Sequence, residues 1–434
     1  MSPTPYAPNA FASEESAHMH LSSTAPNPRV LHLTQPVDGG VARVVTDLVA
    51  AQLSDGLDVT VACPDSVLTA RLRTLGARVR HWHATRSPGT SLIREVRHLA
   101  RVIDEVRPDL VHAHSAKAGL AGRLAVRGRI PTVFQPHAWS FEAVGGGTAA
   151  LALMWERWGA RWASRTVCVS EAERATGMGA RITGRWTVVP NGIDPQRFHP
   201  ATAGLVRSGL APLAGLHPAA PLVVCVGRLC RQKGQDVLLR AWDDIVRRVP
   251  DARLVLVGDG PDQDRLREGA PESVVFAGAV TDASPWYQVA DLVVLPSRWE
   301  GMALAPLEAM ACGRPVVVTD VDGARESLPP SFSTRCLVPP ENPAALAGAV
   351  TELLIDPLLR ESLGDQGRRH VLSTHDVRHT AEAVSDVYRD LLGPWTAATP
   401  SAEHGQRLDT GRGAEPNRTT QRVEPTEYRE SIHS

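Results

Sequence analysis

Two cationic residues, Arg228 and Lys233, lie in one short segment flanked by glycines. The segment follows an apolar run at 221–226 that is typical of a buried strand, so both cations belong to a strand-to-helix turn. An arginine guanidinium can grip phosphate oxygens with its planar fork, and a lysine ammonium acts as a point charge. Gly227 and Gly234 would relieve crowding beside a ligand. The turn therefore suits a diphosphate, with a solvated basic loop as the alternative.

Two carboxylates, Glu300 and Glu308, follow a second apolar run at 291–295 and have seven residues between them. Pro306 is tolerated at the first helical position, which predicts Glu300 in the preceding loop and Glu308 in the first helical turn. Backbone N–H groups between them would bind phosphate, while the carboxylates accept hydrogen bonds from hydroxyls of a sugar and a ribose. The loop residues expected at the donor are Gly301, Met302 and Ala303. For Glu308, a carboxylate that merely favours a helix start is the alternative.

Two further signals lie in the first half of the chain, each after an apolar run. Gly39 and Gly40 follow the run at 29–34, where paired glycines at a helix entrance allow close backbone approach to an anion or a sugar. His137 follows the run at 132–135, which places an imidazole at the carboxyl end of a strand. A plain turn explains the glycines equally well, and a buried, hydrogen-bonded histidine is the alternative for His137.

Other motifs give no support to a different cofactor. Gly258 and Gly260 lack the third glycine of a dinucleotide fingerprint, and no P-loop sequence occurs. These two glycines indicate either a turn that admits a nucleotide base or ribose, or a purely structural turn. Asp320 and Asp322 form a D-x-D pair that could hold a divalent ion, but we interpret them as a turn before Gly323.

Parallel sheets must position these residues, because short runs of Val, Leu and Ile alternate with longer helical patterns. The first series of predicted strands is 29–34, 57–63, 78–82, 109–113, 132–135, 166–169 and 186–189. The second series is 221–226, 253–257, 274–276, 291–295 and 315–318. Ligands bind beyond the carboxyl ends of such strands, where the residues above lie. The predicted fold class is α/β, with two doubly wound Rossmann-like units facing a cleft.

The two series define two lobes, at 29–193 and 221–375, joined by a turn-rich linker at 194–220. A last helical pattern at 376–395 could belong to the second lobe or cross back to the first. The leader at 1–28 is rich in Pro, Ala, Ser and Asn, and the tail at 396–434 has almost no large apolar side chains, so both are expected to be disordered.

Composition excludes several classes of protein. The 434 residues include 46 Lys+Arg and 47 Asp+Glu, so the net charge of -1 gives no global nucleic-acid signature. Six cysteines without a C-x-x-C pair predict neither a disulfide scaffold nor a zinc site, and they favour a reducing cytosol. No stretch approaches the roughly 18 to 20 apolar residues that cross a bilayer. We therefore expect a cytoplasmic protein, at most peripheral at the inner face of the membrane.

One helical pattern leaves contact with a membrane open. Its apolar members are Leu151, Met154, Trp155, Trp158 and Trp162. With arginines beside it, this stripe could lie on an anionic bilayer and meet a lipid-linked acceptor. A stripe that faces the protein core is the alternative, and it is the one we favour.

The segment from Gly227 through Gly234, followed by Glu300 and Glu308, resembles glycosyltransferase family 4, a group of retaining enzymes with the GT-B fold. Further segments agree in order: GGV at 39–41, HAHSAKAG at 112–119, VSE at 169–171, PNGID at 190–194 and ACGRPV at 311–316. The resemblance covers residues 29–390 approximately. The KAG stretch at 117–119 is similar to members that build bacterial polysaccharides.

The resemblance implies a role for each residue. Arg228 and Lys233 would hold the diphosphate of a nucleotide-sugar donor, Glu300 the sugar hydroxyls and Glu308 the ribose. His137 would lie between the donor sugar and the acceptor. The family usually has glycine at the following position, where this chain has Ala138.

Retention of configuration is also implied by the resemblance. A covalent intermediate needs two carboxylates about 5 Å apart, and the two glutamates do not look placed for that. We therefore expect front-face attack on the donor, helped by the two cations, with no cofactor and no metal. The acceptor is expected to be a glycan, a lipid-linked sugar or a metabolite. A sugar-nucleotide epimerase and a non-catalytic nucleotide-sugar binder are the alternatives.

Overall fold

The computed structural model describes residues 27–85 and 89–395. This part of the chain forms two parallel sheets flanked by helices, which confirms the predicted pair of doubly wound Rossmann-like units. The predicted tail at 396–434 and all but the last two residues of the predicted leader lie outside the described residues.

The first lobe is built on a seven-stranded sheet with strand order β3-β2-β1-β4-β5-β6-β7. Its strands are β1 (Arg29–Thr34), β2 (Asp58–Cys63), β3 (Arg78–His81), β4 (Leu110–His114), β5 (Thr132–Gln135), β6 (Arg165–Cys168) and β7 (Trp186–Val188). Its helices are α1 (Gly39–Ser54), α2 (Val67–Thr74), α3 (Leu92–Val106), α4 (Ser115–Val126), α5 (Gly146–Gly159) and α6 (Glu171–Gly179). Because helices cover both faces of the sheet, β4 is buried along its whole length, including its two histidines.

The second lobe is built on a six-stranded sheet with strand order β10-β9-β8-β11-β12-β13. Its strands are β8 (Leu222–Val226), β9 (Arg253–Val257), β10 (Val274–Gly278), β11 (Leu292–Leu295), β12 (Val316–Thr319) and β13 (Leu337–Val338). The helices from the linker onward are α7 (Ala203–Ser208), α8 (Gln235–Arg248), α9 (Gln263–Glu268), α10 (Ser284–Val289), α11 (Leu304–Ala311), α12 (Ala324–Ser327), α13 (Pro343–Ile355), α14 (Pro357–Thr374) and α15 (Val377–Leu392). Strand order reverses between β8 and β11, as it does between β1 and β4, and ligand crevices open at such points.

The predicted strands are confirmed to within two residues at each end, and two elements differ from the prediction. The strand β13 was not predicted, because two residues show no periodic pattern. The helix α11 begins at Leu304, whereas the sequence predicted its first helical residue at Pro306. Proline is tolerated there because N–H groups of a first helical turn have no intrahelical partner.

The helix α15 follows the second lobe in sequence but packs on the first. At its start, the Ile193 N–H donates to the His375 carbonyl at 2.8 Å, and the Val377 N–H donates to the Ile193 carbonyl at 3.0 Å. Near its end, the Tyr388 hydroxyl lies 2.6 Å from Nδ1 of His112 in β4. The chain end therefore ties the two lobes together.

Candidate active site

The turn after β8 carries the first predicted cation pair. Lys233 ends a short 3₁₀ turn, and its side chain runs back along Gly227, where an added Cβ would lie 3.6 Å from Lys233 Cδ. Its Nζ lies 2.5 Å from Oε1 of Glu300, with only 20% and 10% of the two side chains exposed. The structure therefore joins two predicted site residues that are 67 positions apart. Lys233 is one of only two lysines in the chain; the other, Lys117, is buried 2.6 Å from Oε2 of Glu95.

Glu300 is held at three points. Its Oε1 accepts hydrogen bonds from Lys233 and from the Ser297 hydroxyl, the latter at 2.7 Å. Its N–H donates to Oδ2 of Asp322 at 2.8 Å. The second carboxylate oxygen, Oε2, has no hydrogen bond to any residue in 27–85 or 89–395. That oxygen is the one that can accept from a sugar hydroxyl.

Arg228 is half-buried on the same turn as Lys233. Its carbonyl accepts a hydrogen bond from Nε2 of Gln235 at 2.9 Å, which fixes its main chain. Its guanidinium has no ion-pair partner within the described part of the chain. The turn thus presents one paired and one unpaired cation to an anionic ligand.

Gly258 and Gly260, which follow β9, pack against the main chain of this turn. A Cβ on Gly258 would lie 2.2 Å from the Gly227 carbonyl oxygen, and a Cβ on Gly260 would lie 2.2 Å from that of Leu229. Their φ angles of 134° and 156° also favour glycine. Of the two interpretations left open by the sequence, the structural turn is the one these contacts support.

Glu308 lies at the fifth residue of α11, so the predicted placement in the first turn is wrong. The cause is the earlier start of the helix at Leu304. Its Oε2 accepts a hydrogen bond from the Tyr287 hydroxyl at 2.7 Å, and burial raises the pKa of its carboxyl despite the nearby positive charge of Arg43. Tyr287 was not predicted as a site residue, because nothing in its sequence neighbourhood marks it.

The loop between the two glutamates contacts the first lobe directly. The Gly301 carbonyl accepts from the Ser170 hydroxyl at 3.1 Å, and the Met302 carbonyl accepts from Nδ2 of Asn191 at 2.8 Å. Ala303 is extended and immediately precedes α11. A Cβ on Gly40 would lie 3.8 Å from Leu304 of this helix. The predicted loop and the predicted glycine pair at α1 therefore face each other across the cleft, where Gly39 begins α1 with a φ of 67°.

His137 is half-buried at the carboxyl end of β5, next to that loop. A Cβ on Gly301 would lie 3.1 Å from the Ala138 nitrogen, so the turn that carries His137 touches the donor loop. Its Nε2 lies 3.2 Å from Nδ1 of His114, and burial lowers the pKa of His137 to about 3. The imidazole is therefore neutral at physiological pH.

Ala138 adopts a φ of 106°, in the region that favours the glycine of the family pattern. Its N–H donates to Oε1 of Glu173 at 2.6 Å, and the Val169 N–H donates to the other oxygen of that carboxylate at 2.7 Å. Glu173 thus clamps the strained turn, a role that the sequence did not reveal. Burial raises the pKa of Glu173 to about 7.

The two aspartates of the D-x-D segment have separate partners. Asp320 forms an ion pair with Arg325, and Asp322 accepts from the Glu300 N–H. Asp322 has a φ of 38°, as expected for a residue in a tight turn. These contacts support the predicted turn before Gly323 rather than a divalent-ion site.

Sequence reasoning missed a cluster of buried histidines in the first lobe, formed by His32, His112 and His114. The cluster forms because β1 and β4 are neighbours at the strand-order reversal, and it lies next to His137 because β5, which His137 follows, pairs with β4. The signal that could have found it is the H-x-H spacing of β4, since residues two apart point to one face of a strand.

The helix α5 does not face the core along its apolar stripe, so the interpretation that we favoured from the sequence is wrong. Leu151, Met154 and Trp158 are 62%, 61% and 41% exposed. Trp155 and Trp162 are partly buried. The side chain that α5 buries deeply is the carboxylate of Glu156, which forms an ion pair with Arg123. Among the described residues, no helix is both long and apolar enough to cross a membrane.

Comparison with known proteins agrees with this geometry. Residues 38–197 match the family model described as Glycosyltransferase Family 4, and residues 220–356 match the one described as Glycosyl transferases group 1. Alpha-maltose-1-phosphate synthase of Mycolicibacterium smegmatis is 31% identical, over 82% of this chain and 96% of that protein. The lipopolysaccharide core biosynthesis mannosyltransferase LpcC of Rhizobium leguminosarum is 34% identical, over 48% of this chain and 60% of that protein.

The solved structures show the same fold. Anabaena Alr3699/HepE in complex with UDP-glucose superposes with a TM-score of 0.71 at 23% identity, over 84% of this chain and 100% of that one. Both lobes match family models, and one relative aligns over nearly its full length. The chain belongs to glycosyltransferase family 4 and is a glycosyltransferase with the GT-B fold.

Proposed function

We propose that the chain is a retaining glycosyltransferase that moves a sugar from a nucleoside diphosphate sugar to a glycan, a lipid-linked sugar or a metabolite. The observation that carries the proposal is the contact of Lys233 with Glu300, in the turn that also carries Arg228, at the strand-order reversal of the second sheet. A diphosphate has the charge to satisfy both cations, and a sugar has the hydroxyls to satisfy the free oxygen of Glu300.

Donor binding requires a local rearrangement. A cavity of about 10 Å³ beside Glu300 is lined by second-lobe residues alone, so it is a packing void and not the donor cleft. The hydrogen bonds of Gly301 and Met302 to the first lobe close the cleft at this point. We infer that these contacts separate when the donor enters, and that Lys233 then shares its charge between Glu300 and the diphosphate.

Catalysis would be mainly electrostatic and positional. Arg228, Lys233 and the N–H groups before α11 stabilise the negative charge that develops on the leaving diphosphate. A leaving oxygen takes the proton of the acceptor hydroxyl as that hydroxyl attacks the same face of the sugar. Glu308 is buried and accepts from Tyr287, and the free oxygen of Glu300 is assigned to a sugar hydroxyl, so we assign neither glutamate as a nucleophile. The neutral His137 would orient the donor sugar.

No divalent ion enters this proposed reaction, because two cations already face the diphosphate. Transfer should therefore continue in EDTA without added magnesium or manganese. Activity that is abolished by EDTA and restored by either ion would contradict this part of the proposal.

The names of the relatives support an acceptor in the bacterial cell envelope. They include a lipopolysaccharide core mannosyltransferase and, in Escherichia coli, a galactosyltransferase for a diphosphoundecaprenol-linked sugar. A role in polysaccharide biosynthesis at the inner face of the membrane is consistent with the exposed apolar residues of α5. Arg161 lies over the Trp158 ring, 4.7 Å from its centroid, which combines positive charge with apolar surface. Sedimentation with anionic vesicles, lost in Leu151→Ser/Trp158→Ser but kept in the matched pair Val67→Ser/Leu205→Ser, would support membrane contact.

The test of the proposed reaction has two stages. Thermal shift with UDP-, GDP- and ADP-sugars identifies the donor, since a ligand that binds the folded state stabilises it. The chosen donor is then incubated with candidate acceptors, and NMR of the product reads the anomeric configuration. A product with the donor's configuration supports the proposal. An inverted product, or an epimerised sugar nucleotide with no transfer, would overturn it in favour of another reaction.

A further inference from the structure

The three histidines of the buried cluster share one face of the first sheet. His32 in β1 is in register with His112 in β4, and His114 lies two residues further along the same strand. All three are fully buried, with ring centroids 4.0 to 5.4 Å apart. One ring nitrogen of each lies within 4.8 Å of the other two. No step of the proposed glycosyl transfer uses this cluster.

Each imidazole has one ring nitrogen engaged by an outer partner. His32 Nε2 lies 2.7 Å from Oε1 of Gln52, His112 Nδ1 lies 2.6 Å from the Tyr388 hydroxyl, and His114 Nδ1 lies 3.2 Å from Nε2 of His137. An amide oxygen only accepts, so His32 carries its proton on Nε2 and keeps a lone pair on Nδ1. Metal-ligating histidines are oriented by outer hydrogen bonds of this kind.

The inner side of the cluster is short of hydrogen-bond partners. His32 Nδ1 and His114 Nε2 lie 2.9 Å apart, so a single proton serves both. His112 Nε2 is buried and forms no well-aligned hydrogen bond among the described residues, although the Gln135 side chain interacts with the His112 ring. Both amide atoms of Gln135, in register with His114 on β5, likewise form no well-aligned hydrogen bond in that part of the chain. Such buried polar atoms are costly unless something satisfies them.

We propose that His32, His112 and His114 bind a divalent transition-metal ion of the zinc class, with the Gln135 amide oxygen as fourth ligand. In a tetrahedral site, zinc–nitrogen bonds of about 2.1 Å place the ligating ring nitrogens about 3.4 Å apart. The 2.9 Å pair would open by about 0.5 Å, and a pair near the 4.8 Å limit would close by about 1.4 Å, through rotation of the imidazole rings. Neutral imidazoles suit this class of metal.

The ion would have a structural role. It would join β1, β4 and β5, and through Tyr388 it would fasten α15 to the first lobe. With its Nε2 on the metal, His114 carries its proton on Nδ1 and donates to His137 Nε2. The metal would thereby fix the orientation of His137, without touching the donor.

Metal content decides the proposal. Nε2 of the half-buried His81 lies 2.8 Å from Nδ1 of the exposed His83, and the two could collect metal at the surface, so the tag-free full-length His81→Gln/His83→Gln protein serves as the background. It is produced in medium with added zinc, dialysed against EDTA, and analysed by mass spectrometry of its metals. A parallel preparation is grown with cobalt for visible spectroscopy. We expect stoichiometric zinc, and the d–d absorption bands of a tetrahedral cobalt site.

The matched variant adds His112→Gln to this background and should lose both signals together with part of the thermal stability. A background protein that lacks stoichiometric metal and cobalt bands would overturn the proposal and leave a metal-free imidazole network. This result does not need the His112→Gln protein to fold. It is also independent of the proposed reaction, because neither donor nor acceptor takes part in the measurement.

Discussion

Replacing Lys233 by alanine tests the centre of the proposed site. The ammonium is the one partner of Glu300 that could also reach a diphosphate, at 2.5 Å from the carboxylate in this structure. By comparison with the loss of one oxyanion donor, its removal should raise the barrier by about 2 to 4 kcal/mol. This corresponds to a fall in kcat/KM of roughly 30- to 900-fold, since each 1.36 kcal/mol is tenfold.

The same substitution also affects folding, and the two effects must be separated. Without Lys233, the poorly exposed Glu300 is left with an uncompensated charge, which should lower the free energy of unfolding by about 1 to 3 kcal/mol. Adding Glu300→Gln removes that charge and should restore most of the stability. It should not restore turnover, because the diphosphate still lacks its cation.

Steady-state kinetics with the donor found by thermal shift, at fixed ionic strength, measure the first effect, and urea unfolding measures the second. Arg265→Ala is the control, because it removes one exposed positive charge from the same lobe. We expect it to leave kcat/KM unchanged. Wild-type turnover in Lys233→Ala, or turnover that returns in the double variant, would refute a role for Lys233 at the diphosphate.

Three further substitutions test the supports of the site. Ala138→Gly should raise the free energy of unfolding by about 1 kcal/mol, because strain at a positive φ outweighs the extra entropy of glycine; a lower urea midpoint would contradict this. Glu173→Gln tests pH dependence: a pKa raised to about 7 from its usual value near 4.5 means that this group's contribution to folded stability falls as pH rises between those values. The free energy of unfolding of the wild type minus that of the variant, measured in urea, should thus be larger at pH 5 than at pH 8, by up to about 3 kcal/mol. The same difference at the two pH values would contradict the prediction. Gly258→Ala places a Cβ against the Gly227 carbonyl and should weaken donor binding in thermal shift, whereas Gly348→Ala, which meets open space in α13, should not.

The sequence was sufficient for the sheets because their strands are buried on both faces. A continuous apolar run such as β8, bounded by turn residues, is typical of a strand covered by helices on both sides, so its position was predicted to within one residue. The two-residue β13 carries no period, and the start of α11 depended on where a proline is tolerated. Local sequence patterns therefore do not predict very short strands or the exact residue at which a helix begins.

Contacts between distant residues were harder to predict than the elements. Strand order implied that Lys233 and Glu300 would share one crevice, but not that they would touch. Glu173 and Tyr287 act through partners far away in sequence, so no spacing marks them. The exposed stripe of α5 shows the converse limit: helical periodicity identifies an apolar face but does not reveal whether anything covers it.

Because the chain has only two lysines, NMR can follow the Lys233 ammonium almost alone. Reductive methylation with ¹³C-formaldehyde labels primary amines and keeps their charge. The Lys117 amine, only 3% exposed, should react slowly, so the labelled protein carries Lys233 and the chain terminus as its principal resonances. Titration with nucleoside diphosphates would then follow the ammonium itself as it exchanges a carboxylate for a phosphate, without mutating any residue.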